Sequence, residues 1–124
     1  MSDPPVLKRA YWIASARDDL RAFPTAMQRD IGRALRVAQL GGKHEAAKPF
    51  KGFKGAGVLE IVEDHDGDTY RAVYTVRLAN TVYVLHAFQK KSTKGIQTPK
   101  RVIDLIKGRL RVAERDHQER TKGR

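Results

Sequence analysis

The spacing of apolar residues changes along the chain, and each change marks a different kind of element. Met27, Ile31, Ala34, Leu35 and Ala38 recur at intervals of three and four, the period of a helix with one buried face. They predict a helix over 25–40, closed by Gly41-Gly42 because glycine accepts the positive φ of a helix terminus. Upstream, residues 15–23 predict a shorter helix with Ser15 as its cap and Pro24 as its stop. Thr25 and Gln28 have the spacing of a capping box. Two helices joined by so short a turn should form a hairpin with a shared apolar side.

From position 58 the pattern becomes that of strands. Residues 58–64, 69–77 and 81–90 are rich in Val, Ile, Leu, Tyr and Phe, with Asp66-Gly67 as a strong hairpin signal and Ala79-Asn80 as a weaker one. An opening strand is expected over 6–13. After Thr98-Pro99, a cap followed by a residue suited to the first helical position, Val102, Ile106, Leu110 and Ala113 restore the helical period. Residues 1–113 read as a single domain, and the charged stretch 114–124 as a frayed or disordered tail. The order β-α-α-β-β-β-α predicts an α+β fold: an antiparallel-dominated four-stranded sheet, a helical hairpin on one face and a C-terminal helix. A doubly wound nucleotide-binding fold is disfavoured.

Charge narrows the function. The 124 residues carry 25 Lys and Arg against 14 Asp and Glu, a formal charge of +11, which favours polyanionic partners. The excess is clustered, since the stretch 86–101 holds five Lys and Arg and no acidic residue. The chain has no cysteine, which excludes disulfides, thiolate chemistry and a thiolate zinc site. The four histidines, at 44, 65, 86 and 117, show no ligand spacing, and Asp64, Asp66 and Asp68 lack the glutamate that closes an EF-hand loop. No metal or cofactor is expected. Neither an export signal nor an apolar run long enough to span a bilayer is present, so no membrane is expected and a cytoplasmic setting is.

Candidate chemistry comes from strand register. A two-residue loop at Ala79-Asn80 would set Val73 opposite His86 and Arg71 opposite Phe88. Alternation then groups Arg71, Val73, His86, Phe88 and Lys90 on one face. Tyr70, Ala72, Tyr74, Val76, Tyr83, Leu85 and Ala87 form the other, expected beneath the helices. An arginine fork, an aromatic ring, an imidazole and an ammonium in one patch suit phosphate and base recognition. Lys91 and Lys94 follow the last strand, and Lys48, Lys51 and Lys54 are interleaved with Phe50 and Phe53 before the first strand of the meander. Glu60 is read as an ion-pair partner of Arg71 in preference to a base.

These residues carry a resemblance. The segments Tyr70-Arg71-Ala72-Val73-Tyr74 and His86-Ala87-Phe88-Gln89-Lys90-Lys91-Ser92, with Thr98-Pro99-Lys100 and Lys48-Pro49-Phe50-Lys51-Gly52, resemble the RelE/ParE toxin superfamily, most closely its HigB-like, phage-derived branch. The resemblance implies the toxin of a type II toxin–antitoxin system, a metal-independent mRNA endonuclease acting on the ribosome, partnered by an antitoxin of helix-turn-helix type. It implies catalytic roles for Arg71, Lys90 and Lys91 and RNA contact at Lys51 and Lys54; His86, where the chain departs from the RelE pattern, is expected to transfer a proton, and Lys48, Phe88 and Lys94 are read as RNA-binding from their own chemistry. A gyrase inhibitor of the ParE kind and a non-catalytic basic RNA-binding module stay open as alternatives.

Overall fold

The computed structural model describes residues 7–53, 57–91 and 98–122, and of Lys91 the backbone alone. The order is β1 (Arg9–Trp12), α1 (Ala16–Arg21), α2 (Thr25–Gln39), β2 (Ala47–Pro49), β3 (Val58–His65), β4 (Asp68–Thr75), β5 (Thr81–Lys91) and α3 (Lys100–Thr121). The strands form one sheet in the order β1-β5-β4-β3-β2, with β1 parallel to β5 and the other pairs antiparallel. The expected α+β architecture holds with one strand more than the sequence pattern predicts. The addition, β2, is only three residues long and contains Pro49, so it has too little alternation to be read as a strand; at the sheet edge it pairs Lys48 with Glu60.

Local chemistry accounts for most element ends. Asp66 and Gly67 both adopt positive φ, at 49° and 82°, as a two-residue hairpin turn requires, and pairing runs from His65 with Asp68 to Val58 with Thr75. The α2 terminus closes with Gly41 N–H on the Ala38 carbonyl and Gly42 N–H on that of Val37, Gly41 taking φ 90°. Three capping expectations are corrected. Ser15 precedes α1, but its hydroxyl donates to Asp19 Oδ2 at 2.8 Å and accepts from no backbone N–H of the first turn. Gln28 forms no capping box: its Nε2 donates to the carbonyls of Arg21 and Phe23, tying α2 to the end of α1. At α3 the cap position is Pro99, one residue after the expected Thr98.

Both sheet faces are covered. Leu20, Met27, Ile31 and Leu35 from the helical hairpin pack on Ile61, Tyr70, Ala72, Tyr74, Val82, Val84 and Ala87. On the opposite face Ile106, Leu110 and Ala113 of α3 pack on Val73, Tyr83 and Leu85, with Phe50, Phe53 and Val58 alongside. Among the described residues no helix is long and apolar enough to cross a membrane.

This division corrects the expected grouping of β5. Val73 does pair with His86 and Arg71 with Phe88, yet Tyr74 pairs with Val84, so Leu85 is an extra residue on β5. Such a bulge inverts the alternation on one side of itself. It moves Tyr83 and Leu85 to the α3 face and Val82 and Val84 beneath the hairpin. The connection is correspondingly longer than two residues: β4 ends at Thr75, and Asn80 at φ 60° precedes Thr81, whose Oγ1 and N–H both donate to the Leu78 carbonyl.

The charged C-terminal stretch is also corrected, because α3 continues to Thr121. Tyr83 donates its hydroxyl to Asp116 at 2.6 Å, Arg120 Nε donates to the same oxygen at 2.7 Å, and the Arg120 guanidinium lies 3.9 Å over the Tyr11 ring. Tertiary contacts with β1 and β5 thus hold turns that local apolar patterning leaves without a buried stripe.

Candidate nucleic-acid interface

Arg71 is reached by building outward from the α3 face. Glu60 stands opposite Val73 on β3, and Arg71 lies two residues earlier on β4, a diagonal within reach of a long side chain. The guanidinium places Nη1 at 3.1 Å from Glu60 Oε1 and 2.9 Å from Oε2. Glu60 is only 5% exposed, so it relies on that partner in place of water. Lys48, opposite Glu60 on β2, brings Nζ to 3.9 Å from Oε1. Arg71 Nε is buried with no hydrogen-bond partner among the described residues, a cost that packing for stability alone would remove.

Lys90 belongs to the same field. It stands opposite Thr69 on β5, and its pKa is held below the usual lysine value by partial burial and by the charges of Arg71 and Lys48, with Glu60 opposing. Among the described residues, Lys48, Arg71 and Lys90 therefore stand with one buried carboxylate on one sheet face. An approaching phosphate would relieve that repulsion.

Of the other sequence candidates, Phe88 is paired across the sheet with Arg71 and its ring stacks on His86, centroids 5.3 Å apart and planes 18° from parallel. Lys51 sits exposed on the turn between the packed rings of Phe50 and Phe53. The backbone of Lys91 pairs with Asp68 at the end of β5. Lys54 and Lys94 lie outside the described residues.

His86 occupies a different setting from the one the sequence suggests. Its Nδ1 lies 3.0 Å from Arg109 Nη1 and 3.7 Å from Asp19 Oδ2. Burial first, then the Arg109 charge, push its pKa below the usual histidine value against the opposing pull of Asp19, so the ring is neutral near pH 7. Sequence reasoning missed Arg109, although a signal existed: Arg109 lies seven residues after Val102 and three after Ile106, on the apolar stripe of α3. A charged residue there must find a buried partner.

Among the described residues no three His, Asp or Glu side chains gather as metal ligands. The three turn aspartates are engaged separately: Asp64 accepts from Thr69, Asp68 from Gln89, and Asp66 lies 3.4 Å from His65.

Residues 18–111 match the family described as Phage derived protein Gp49-like (DUF891), and the chain belongs to that family. The family is RelE-like, as the sequence resemblance implies. Among solved structures, a chain of the toxin–antitoxin complex RelBE2 from Mycobacterium tuberculosis is 22% identical, with 73% of this chain and 100% of that chain covered at a TM-score of 0.42. No curated protein matches the sequence.

Proposed function

We propose that this protein is the toxin of a toxin–antitoxin pair and that it inhibits translation by cutting mRNA on the ribosome. The observation that carries the reading is the gathering of Lys48, Arg71 and Lys90 around the buried carboxylate of Glu60. In the reaction that the RelE resemblance implies, the RNA 2′-hydroxyl gives up its proton as its oxygen attacks the adjacent phosphorus, the bond to the 5′-oxygen breaks, and that oxygen takes up a proton as it leaves, so that a 2′,3′-cyclic phosphate forms with no net proton change. Negative charge grows on the phosphate oxygens as it proceeds. Cations already in place stabilise that state without reorganising, by about 3 kcal/mol per well-placed group. Arg71 supplies the directional fork and Lys90 compact charge. Lys91 is assigned to the same role from the sequence alone. Phe88 offers a ring for a splayed base, and Lys48 and Lys51, with Lys54 and Lys94, guide the backbone. The partner that silences it is an antitoxin of the helix-turn-helix type, and the setting is the cytoplasm.

The test maps mRNA 5′ ends after a pulse of expression. Wild type should give new ends, and both Arg71→Ala and the double variant Arg71→Ala/Glu60→Gln should not. The double variant matters because it does not strand Glu60 as an unpaired charge. Intact mRNA with DNA damage would point to gyrase inhibition, and salt-dependent RNA binding without cleavage to a non-catalytic module. A folded, fully active double variant would sink the assignment of Arg71.

A further inference from the structure

Arg109 is the centre of a polar network that the proposed cleavage chemistry does not use. It reaches from α3 to β5 and α1 at once. Nη1 donates to the Leu85 carbonyl at 2.9 Å and lies 3.0 Å from His86 Nδ1, while Nη2 donates to Ser15 Oγ at 3.0 Å. Ser15 in turn donates to Asp19 Oδ2 at 2.8 Å. The bulge explains why this network sits here. As the extra residue on β5, Leu85 has no partner on β4, and its carbonyl turns instead to Arg109.

The network decides the protonation of His86 on geometric grounds. A guanidinium can only donate, so the Nδ1 that faces it at 3.0 Å must present its lone pair, and the ring proton must reside on Nε2. Asp19 would favour the opposite tautomer, but it stands at 3.7 Å and the same oxygen already accepts from Ser15. The nearer group, the Arg109 donor, prevails over the more distant acceptor. Nε2 makes no hydrogen bond among the described residues, and the His86 side chain keeps 14% of its surface exposed. The ring that carries it stacks on Phe88, which stands across the sheet from Arg71.

We infer that Arg109 is a positioning residue that locks His86 as the Nε2–H tautomer, so that His86 gives the RNA a hydrogen-bond donor beside Phe88 and takes no part in proton transfer. The inference rests on the proposed function for its RNA half. A neutral imidazole with its one lone pair engaged by a cation has nowhere to accept a proton. Its Nε2–H can still donate to an oxygen of the nucleotide whose base lies on Phe88. The depressed pKa of His86 agrees with that state.

The first measurement needs no substrate. Long-range proton–nitrogen NMR of the labelled wild-type protein near pH 7 should show His86 protonated on Nε2 and bare on Nδ1. In Arg109→Met the two tautomers should mix and the ring should titrate higher, while Arg109→Lys, which keeps a donor, should restore the wild-type pattern in part. The second measurement is kinetic, with mRNA-programmed ribosomes. Arg109→Met should raise the apparent KM about tenfold with kcat within about twofold, the signature of lost binding and not of lost chemistry. The wild-type rate should show no histidine limb between about pH 6 and about pH 8. A wild-type ring protonated on Nδ1, or a kcat limb that His86→Gln removes, would overturn the inference. If Arg109→Met fails to fold, the wild-type tautomer and Arg109→Lys still decide it. A wild-type protein that cuts no mRNA overturns the proposed function and the donor role together, yet the Nε2–H tautomer in that same protein would uphold the lock by Arg109.

Discussion

Arg71 on β4 places one nitrogen, Nη1, between both carboxylate oxygens of Glu60 on β3, at 3.1 and 2.9 Å, in a setting where Glu60 is almost wholly buried. The pair therefore has two consequences that must be measured apart. It orients a guanidinium on the proposed cleavage face, and it neutralises a charge that the sheet has removed from water.

Replacing Arg71 by alanine should cost stability as well as activity. Stranding a buried carboxylate is worth about 3 kcal/mol, less whatever Lys48 recovers from 3.9 Å away. Urea unfolding should show the loss in Arg71→Ala and its substantial recovery in Arg71→Ala/Glu60→Gln. Both proteins should remain inactive in the cleavage assay. Equal stability of Arg71→Ala and wild type would mean that the ion pair has no net worth to the fold.

Lys90 and Lys48 should affect RNA contact more evenly. Lys90→Met should lower cleavage by about 100-fold if its ammonium meets the transition state, whereas Lys48→Met should mainly weaken binding. In salt titrations of RNA affinity, each replacement should reduce the slope by about one. Unchanged slopes would place both side chains off the RNA path.

The last turns of α3 should depend on one latch. Hydrogen bonds from Tyr83 and then Arg120 hold the Asp116 carboxyl below the usual aspartate value. A depressed carboxylate contributes stability above its unfolded pKa of about 3.9 and loses it as pH falls through the lower folded value. Hydrogen exchange should therefore show fraying near residues 114–121 in Tyr83→Phe, and in wild type only at strongly acidic pH. Exchange that is identical in the variant would leave the Arg120 contact over Tyr11 as the latch.

His86 should impose a second pH dependence with its own window. Its folded pKa lies below the unfolded value of about 6.5, so the unfolded chain takes up the proton first as pH falls. Stability should be full above about pH 6.5 and decline from there toward the folded pKa. Glutamine at this position still accepts from Arg109 and does not titrate, so urea midpoints of His86→Gln should lack this decline. A decline of the same size in the variant would assign it to another group.

Much of this site was legible from residue order because strand alternation is a local property. The Asp66-Gly67 turn pins β3 against β4, whereas Val73 faces His86, as a two-residue loop at Ala79-Asn80 predicts, only because the bulge at Leu85 offsets a longer connection. Alternation puts Arg71, Phe88 and Lys90 on one face, with Glu60 as the ion-pair partner of Arg71. The bulge at Leu85 left no comparable mark. A β-bulge inserts one unpaired residue without needing a glycine, and alternation on either side of it looks equally regular. Unbroken alternation therefore places Tyr83 and Leu85 on the wrong face.

The sequence by itself determined every element but β2, the hairpin turn, the basic character and the pairing of Glu60 with Arg71, since each follows from neighbours in the chain or from one strand pair. Only the tertiary structure decided which state His86 occupies and where α3 ends. Arg109 meets His86 across 23 residues, and Asp116 meets Tyr83 across 33. Burial and partners set by such distant contacts determine whether a titratable side chain moves protons, holds a helix or supports a neighbour. No pattern along the chain carries that information, because the contacts form only when α3 packs against the sheet.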